Sequence, residues 1–305
     1  MRRLAKSAGM VFAVLVALCP LIAAYLGAGL GTAALHPQRL SPMRMHEADL
    51  MLARTRATKQ DLVVRAPDGA ELRGWKIRPF VPNGNWVLVF HGVGDNRTGM
   101  LGFAEFLLGH GYSVVMMDAR AQGESGGDMA TYGWKERYDS VAVTDALYAS
   151  EKPIGLYALG VSMGAALALQ SAAVEPRIRA VVAEDPFANL REVSYDYAGL
   201  HLCPLLGKTL FRPASITAMR AIAKTGGFDA DDDSPERAVA TRPFPVLLIC
   251  GTRDRSIPCR HAERIYNAAT GRKELWVVQG AEHASALGAD PATYEAKVIQ
   301  FFQAN

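Results

Sequence analysis

Hydrophobic side chains run along this chain in two regimes. From Ala8 to Leu35 they follow one another with no ionisable group other than Cys19 and Tyr25. Those 28 residues exceed the roughly 20 that a helix needs to span a hydrocarbon layer. They stand behind a basic start, Arg2-Arg3-Leu4-Ala5-Lys6, so the pattern predicts an uncleaved membrane anchor over residues 1–35. A cleaved secretory signal is the alternative, since Pro20 divides the run and Gly31-Thr32-Ala33 supplies small residues for a peptidase. Its apolar stretch would usually be shorter, about 7–15 residues. Residues 36–60 then mix polar and apolar positions at helical spacing (Met45, Leu50, Met51, Leu52) and read as a linker with a short helix.

From residue 61 onward, short apolar runs alternate with longer helical patterns. Leu62-Val63-Val64 and the segment Leu72 to Arg78 flank Asp68-Gly69, a strong turn pair, and predict a hairpin. Trp86 to Phe90, Tyr112 to Met117, Ile154 to Leu159, Ala180 to Ala183, Val246 to Ile249 and Glu274 to Val278 read as further strands. Residues 100–109, 134–150, 163–173 and 291–303 read as helices. Strands separated by helices imply a mostly parallel sheet covered on both faces. The stretch 187–242 is too long for one crossover and predicts a small helical cap. The expected organisation is therefore an anchor (1–35), a linker (36–60) and one α/β domain (61–305) carrying that insertion.

Composition narrows the partners. The chain has 305 residues, half of them hydrophobic and 21% charged, which excludes a disordered tail, a collagen-like fibre and a disulfide-dense mini-protein. Net charge is +3, yet residues 1–46 hold five basic residues and no acid, leaving −2 for the rest. A near-neutral body without basic runs is a poor partner for nucleic acid. Basic residues before the apolar run slightly outweigh Arg39, Arg44 and Arg54 behind it, so the positive-inside tendency favours an extracytoplasmic domain. Cys203, Cys250 and Cys259 make an odd set beyond Cys19, from which no disulfide framework follows.

The chemistry centres on Gly160-Val161-Ser162-Met163-Gly164, placed between a predicted strand and a predicted helix. A serine there must sit on a sharp turn, so Gly160 and Gly164 supply the small neighbours and the helix start supplies an N–H for a developing oxyanion. A serine hydroxyl needs a base, and the base needs an orienting acid. Asp254 follows the strand ending at Ile249 and His283 follows the strand ending at Val278, 92 and then 29 residues further on. Both fall at the carboxyl edge of the sheet, where catalytic groups of open α/β sheets collect. Asp185, or less well Glu184, is an alternative acid after the strand at 180–183. His36, His46, His110, His201 and His261 read as surface or packing histidines. In His91-Gly92-Val93-Gly94 the glycines let the chain bend, so the Val93 and Met163 amides are the expected oxyanion hole. Asp229, Asp231, Asp232 and Asp233 lack the spacing of a calcium loop and read, with Ser234, as a capped helix start; no metal is expected.

With these residues in place the chain resembles the α/β-hydrolases, and within them the bem46-like, prolyl-oligopeptidase-related serine hydrolases, over about residues 60–304. The likeness extends to Asp68-Gly69-Ala70-Glu71-Leu72-Arg73-Gly74-Trp75, to Asp118-Ala119-Arg120-Ala121-Gln122-Gly123-Glu124-Ser125 and to Tyr132-Gly133 with Glu136 and Asp139. Ala121 replaces a usual glycine and Val93 a usual asparagine. The resemblance implies a serine hydrolase of carboxylesterase or lipase type, acting on a small-molecule or lipid acyl substrate without a cofactor. An acyltransferase or serine peptidase with the same triad, and a membrane-anchored binding protein on the same fold, are the rivals. Asp118 and Arg120 are expected to brace the loop below the site, and the apolar cap to cover an acyl pocket.

Overall fold

The alternation of strand and helix patterns is realised as one eight-stranded sheet. The structure, a computed structural model, describes residues 18, 21–199, 204–232 and 234–305. Ahead of the sheet lie α1 (residues 21–34) and α2 (Met45–Thr55). The first half holds β1 (Thr58–Arg65), β2 (Glu71–Arg78), β3 (Asn85–Phe90), α3 (Leu101–Gly109), β4 (Ser113–Met117) and α4 (Glu136–Ser150). The central crossing follows with β5 (Gly155–Val161), α5 (Met163–Val174) and β6 (Ile178–Glu184). The cap segment contributes α6 (Leu190–Ala198), α7 (Pro204–Lys208), α8 (Arg212–Gly226) and α9 (Pro235–Thr241). The chain closes with β7 (Val246–Gly251), α10 (Arg260–Ala268), β8 (Lys273–Val278), α11 (Ala286–Ala289) and α12 (Pro291–Gln303).

Strands run in the order β1-β2-β4-β3-β5-β6-β7-β8. β1, β2 and β4 pair antiparallel, and every other pairing is parallel. The expected hairpin turn is present: Gly69 takes φ +90° and its N–H donates to Ala66 O at 2.9 Å, a conformation that a residue with Cβ resists. Period-2 alternation then sorts the core. Val87, Val89, Leu159 and Val182 face α3 and α12, where Leu107, Val298 and Phe302 are fully buried. Trp86, Leu88, Ala158 and Val181 face α4, α5 and α10, against Leu147, Leu169 and Ile265. All seven residues of β5 are buried. At about 1.5–3 kcal/mol for each large aliphatic side chain, this strand is a firm base for whatever its carboxyl end carries.

The cap departs from a simple insertion. α6 and α8 stand over the sheet's carboxyl edge, while α9 returns to the body, with Val239 packed into the same core as Phe244 and Ile265. Ser234 caps α9, its Oγ accepting from Arg237 N at 3.2 Å, and Asp231 and Asp232 pair with Arg191 and Arg237. Among the described residues no helix is long and apolar enough to cross a membrane; residues 1–17, 19 and 20 of the expected anchor lie outside them. What is described of the apolar run does not stand apart from the body. α1 packs on α8, and Leu35 behind it is wholly buried with Phe187, Met219, Ile222 and Phe228.

Candidate active site

The sharp turn expected at Ser162 is present. Its φ of 58° and ψ of −121° lie where an L-residue is strained. The neighbouring glycines follow from sterics. A Cβ on Gly160 would sit 2.1 Å from Gly164 O, and one on Gly164 would sit 2.2 Å from Phe90 O. Ser162 N donates to Glu184 O at 2.8 Å, which ties the turn to β6.

Ser162 meets the two partners expected from the strand ends. His283 Nε2 is 2.9 Å from Ser162 Oγ, and His283 Nδ1 is 2.7 Å from Asp254 Oδ2. With Nδ1–H donating to the carboxylate, Nε2 keeps its lone pair for the serine hydroxyl. Asp254 is in turn fixed by its own loop, because its Oδ1 accepts from Ser256 N at 2.7 Å and Ile257 N at 2.8 Å. A Cys250–Cys259 disulfide brackets that loop. Burial pulls the His283 pKa down, but the hydrogen bond and charge of Asp254, with Asp185 and Glu184 behind it, outweigh burial and raise it.

Asp185, weighed as the acid, is placed differently. Its Oδ2 is 3.9 Å from His283 Nδ1, beyond a hydrogen bond, and accepts instead from Ala284 N at 2.8 Å. Its Oδ1 accepts from Gly251 N at 3.2 Å, so this carboxyl links the backbones of the Asp254 and His283 loops. Burial first, then the negative charges of Asp254 and Glu184, push its pKa up to about 7. Glu184, also raised by burial, accepts from Ala286 N at 2.9 Å. Asp185, Asp254 and His283 offer ligand atoms within 4.8 Å of one another, but the direct His283–Asp254 bond occupies the pair a metal would need.

The loop after β3 comes close to the serine: a Cβ on Gly92 would lie 3.6 Å from Ser162 Cβ. Val93 and Met163 line one cavity with Ser162. Met163 is the first residue of α5, where helix N–H groups have no intrahelical acceptor. His91 braces this loop, with Nδ1 on Gly92 O at 2.8 Å and Nε2 accepting from Ala119 N at 2.9 Å. Burial lowers its pKa, which keeps the accepting nitrogen unprotonated. Gln122, which sequence reasoning missed, is wholly buried and its Oε1 accepts from Gly94 N at 2.6 Å. Asp118 accepts from Arg97 N at 2.7 Å and Glu124 N at 2.8 Å, and pairs with the Arg97 guanidinium. Arg120 pairs with Asp139 and Asp68. Both therefore brace loops, as their positions suggested. The remaining histidines stay away from the serine: His261 lies against Asp196 at 2.9 Å, His110 against Phe106 O and His36 against Thr32 O. His201 falls outside the described residues.

A cavity of about 520 Å³ opens from Ser162 beneath the cap. Phe187, Leu190, Val193, Met219 and Ile222 supply much of its wall, and no acidic or basic side chain lines it among the described residues. Gly27, Leu30, Gly31, Ala33 and Ala34 of α1 also line it. Sequence reasoning placed these in an anchor and missed them; the four-residue spacing of Gly27 and Gly31 was the available signal.

Residues 82–212 match the family model described as serine aminopeptidase, S33. An uncharacterized protein of Mycobacterium tuberculosis, MT2364, is 30% identical over 229 residues, covering 73% of this chain and 72% of that protein. The uncharacterized protein YqkD of Bacillus subtilis is 29% identical over 247 residues, 80% and 79% of the two chains. Among solved structures, the Pyrococcus furiosus esterase Pf2001 superposes with a TM-score of 0.71 at 25% identity, over 88% of this chain and 97% of the esterase.

Proposed function

From the premise that this chain belongs to the α/β-hydrolases, we propose that it is a serine esterase that cleaves an ester or thioester acyl bond through Ser162, His283 and Asp254. The observation that carries this reading is the unbroken hydrogen-bond path from Asp254 through His283 to Ser162, at 2.7 and 2.9 Å, opening into an apolar cavity.

Ser162 Oγ attacks the carbonyl carbon as its proton passes to His283 Nε2, and Asp254 stabilises the imidazolium. The carbonyl electron pair moves onto oxygen, where the N–H groups of Val93 and Met163 hold it. Collapse expels the alkoxide or thiolate, which takes the proton from His283, and leaves acyl-Ser162. Water attacks that ester, gives its proton to His283, and the proton returns to Ser162 as the carboxylic acid departs. The chain supplies the nucleophile, the base and the oxyanion donors of both half-reactions.

The match to a serine aminopeptidase model raises a peptidase as the second reading. A site for a peptide amino terminus calls for a carboxylate in the pocket, and among the described residues none lines this cavity; that favours the ester. An acyltransferase would use the same acyl-enzyme with an alcohol or amine in place of water. We further infer that the apolar N-terminal segment holds the protein at a membrane and that the catalytic domain is extracytoplasmic. The basic start supports this, as does the Cys250–Cys259 disulfide, a feature of oxidising compartments.

Fluorophosphonate labelling tests the reading, together with hydrolysis of p-nitrophenyl esters and of aminoacyl p-nitroanilides. Wild type should label and cleave the esters, and Ser162→Ala should lose both by about a thousandfold or more. Folded wild type that neither labels nor turns over would leave a binding protein on a hydrolase fold, and faster anilide than ester cleavage would make it a peptidase.

A further inference from the structure

We propose that the substrate is a long-chain acyl lipid drawn from a bilayer into a pocket that the chain's own N-terminal helix completes. This rests on the esterase reading above and specifies its substrate. Gly27, Leu30, Gly31 and Ala34 recur at the three- and four-residue spacing that shares one helix face, and that face closes the cavity holding Ser162. A volume of about 520 Å³ lies in the range of about 300–1,000 Å³ that buries most of a ligand's surface. The wall is mostly apolar and carries no charged side chain among the described residues, and the hydroxyls of Tyr132, Ser194 and Ser215 donate to the carbonyls of Ala34, Arg191 and Ser194, which favours an aliphatic chain.

The helix is seated, and not merely nearby. A Cβ on Gly27 would fall 2.2 Å from Ala214 O, and one on Gly31 would fall 2.3 Å from Ala218 O, so both glycines allow the backbones of α1 and α8 to touch. Thr217 Oγ1 donates to Ala24 O at 2.7 Å across the same seam. Close contact through glycines four residues apart is the way helices associate where no hydrophobic drive separates them from lipid.

The opposite face of α1 points to the source of the chain. Leu21, Ile22, Tyr25 and Leu26 are more than half exposed there. Leu30 both lines the cavity and stands 66% exposed, so the pocket rim is continuous with this apolar face. Tyr197 of α6 joins the same rim, and Leu205, Leu206 and Leu210 of the cap are exposed as well. Toward the amino terminus the sequence stays free of charged side chains as far as Ala8 and then presents Arg2, Arg3 and Lys6. An apolar face continued by an apolar run and ended by cations matches a lipid layer with anionic headgroups.

The test measures the full chain on p-nitrophenyl palmitate against p-nitrophenyl butyrate, with palmitate ester delivered either in phosphatidylglycerol vesicles or bound to albumin. Wild type should prefer palmitate, and should cleave the vesicle-borne ester about tenfold or more faster than the albumin-bound one. Ala34→Trp should fill the pocket and lower palmitate turnover at least about tenfold more than it lowers butyrate turnover. Leu30→Asp should erase the vesicle advantage, whereas Gly29→Ala, at a site where a Cβ meets nothing within 4 Å, should change neither. Near-ultraviolet circular dichroism and a cooperative thermal transition report that each variant is folded. Absence of butyrate turnover and labelling in wild type would defeat the esterase reading itself. Normal butyrate turnover with a palmitate rate untouched by Ala34→Trp would overturn the pocket wall alone. Equal rates from vesicles and albumin would overturn the bilayer source, as would a dimer burying α1 in sedimentation runs.

Discussion

The two sides of the cavity are built by different physics. Around Ser162 the wall is a hydrogen-bonded lattice: Asp254 is held by two backbone N–H groups, Asp185 joins two loops, and Gln122 holds the loop after β3. Across the cavity, α1, α6 and α8 meet through apolar side chains and two glycine contacts, with few polar ties. The first side specifies positions to within tenths of an ångström, as chemistry requires. The second specifies volume and polarity, which is what selection of an acyl chain requires. Substitutions on the first side should therefore change turnover for every substrate, and those on the second should change which substrate is turned over.

The sharpest way to break that division is at the acid. Asp254→Asn should lower kcat by roughly a hundred- to ten-thousand-fold on every ester, because the imidazole loses the partner that sets its tautomer. Asp185→Asn, which keeps the amide ties to at least one loop, should cost about tenfold or less. Equal losses would mean that the two carboxylates share the role. Next in size is the disulfide. Cys250→Ser with Cys259→Ser opens a loop closed across a sequence separation of 9 and should lower stability by about 2–3 kcal/mol in urea denaturation, with a fall in turnover as the Asp254 loop loosens.

The pH profile sharpens the electrostatic half. Turnover needs His283 unprotonated, so rate falls as pH drops through its pKa, and the neighbouring carboxylates raise that pKa. The acid limb of kcat/KM should lie above the ordinary histidine value of about 6.5. In Asp185→Asn, which removes one of the raising charges, the limb should move to lower pH. A limb that stays put would show that Asp185 is uncharged in the free enzyme. The smallest effect is expected at Ala121, whose φ of 57° lies in the left-handed region that favours glycine. Ala121→Gly should leave turnover unchanged and raise stability by about 0.5–1 kcal/mol, read as a higher midpoint of unfolding.

The same division decides what was legible in the sequence. Ser162, Asp254 and His283 each stand just past a predicted strand, and the sheet's own order brings strand ends together; their meeting followed from topology. The fold was legible for the same reason, because buried parallel strands are continuous apolar runs. Gln122 was not, since it acts on Gly94, 28 residues away, and no local pattern marks that pairing. The pairing of Cys250 with Cys259 was hidden among three cysteines of equal standing. The packing of α1 on the cap was not legible, because an apolar run looks the same whether lipid or a cap helix covers it. Only the spacing of Gly27 and Gly31 hinted that another backbone lies against it.

The central claim is that Ser162 carries the acyl group between the two half-reactions. Rapid mixing with p-nitrophenyl butyrate, acid quench and peptide mass analysis tests it most directly. The account predicts a mass increase of one butyryl group on the peptide containing Ser162, absent in Ser162→Ala and accompanied by a stoichiometric burst of p-nitrophenol. Turnover of the ester with no acyl group on that peptide, or with the acyl group elsewhere, would contradict it.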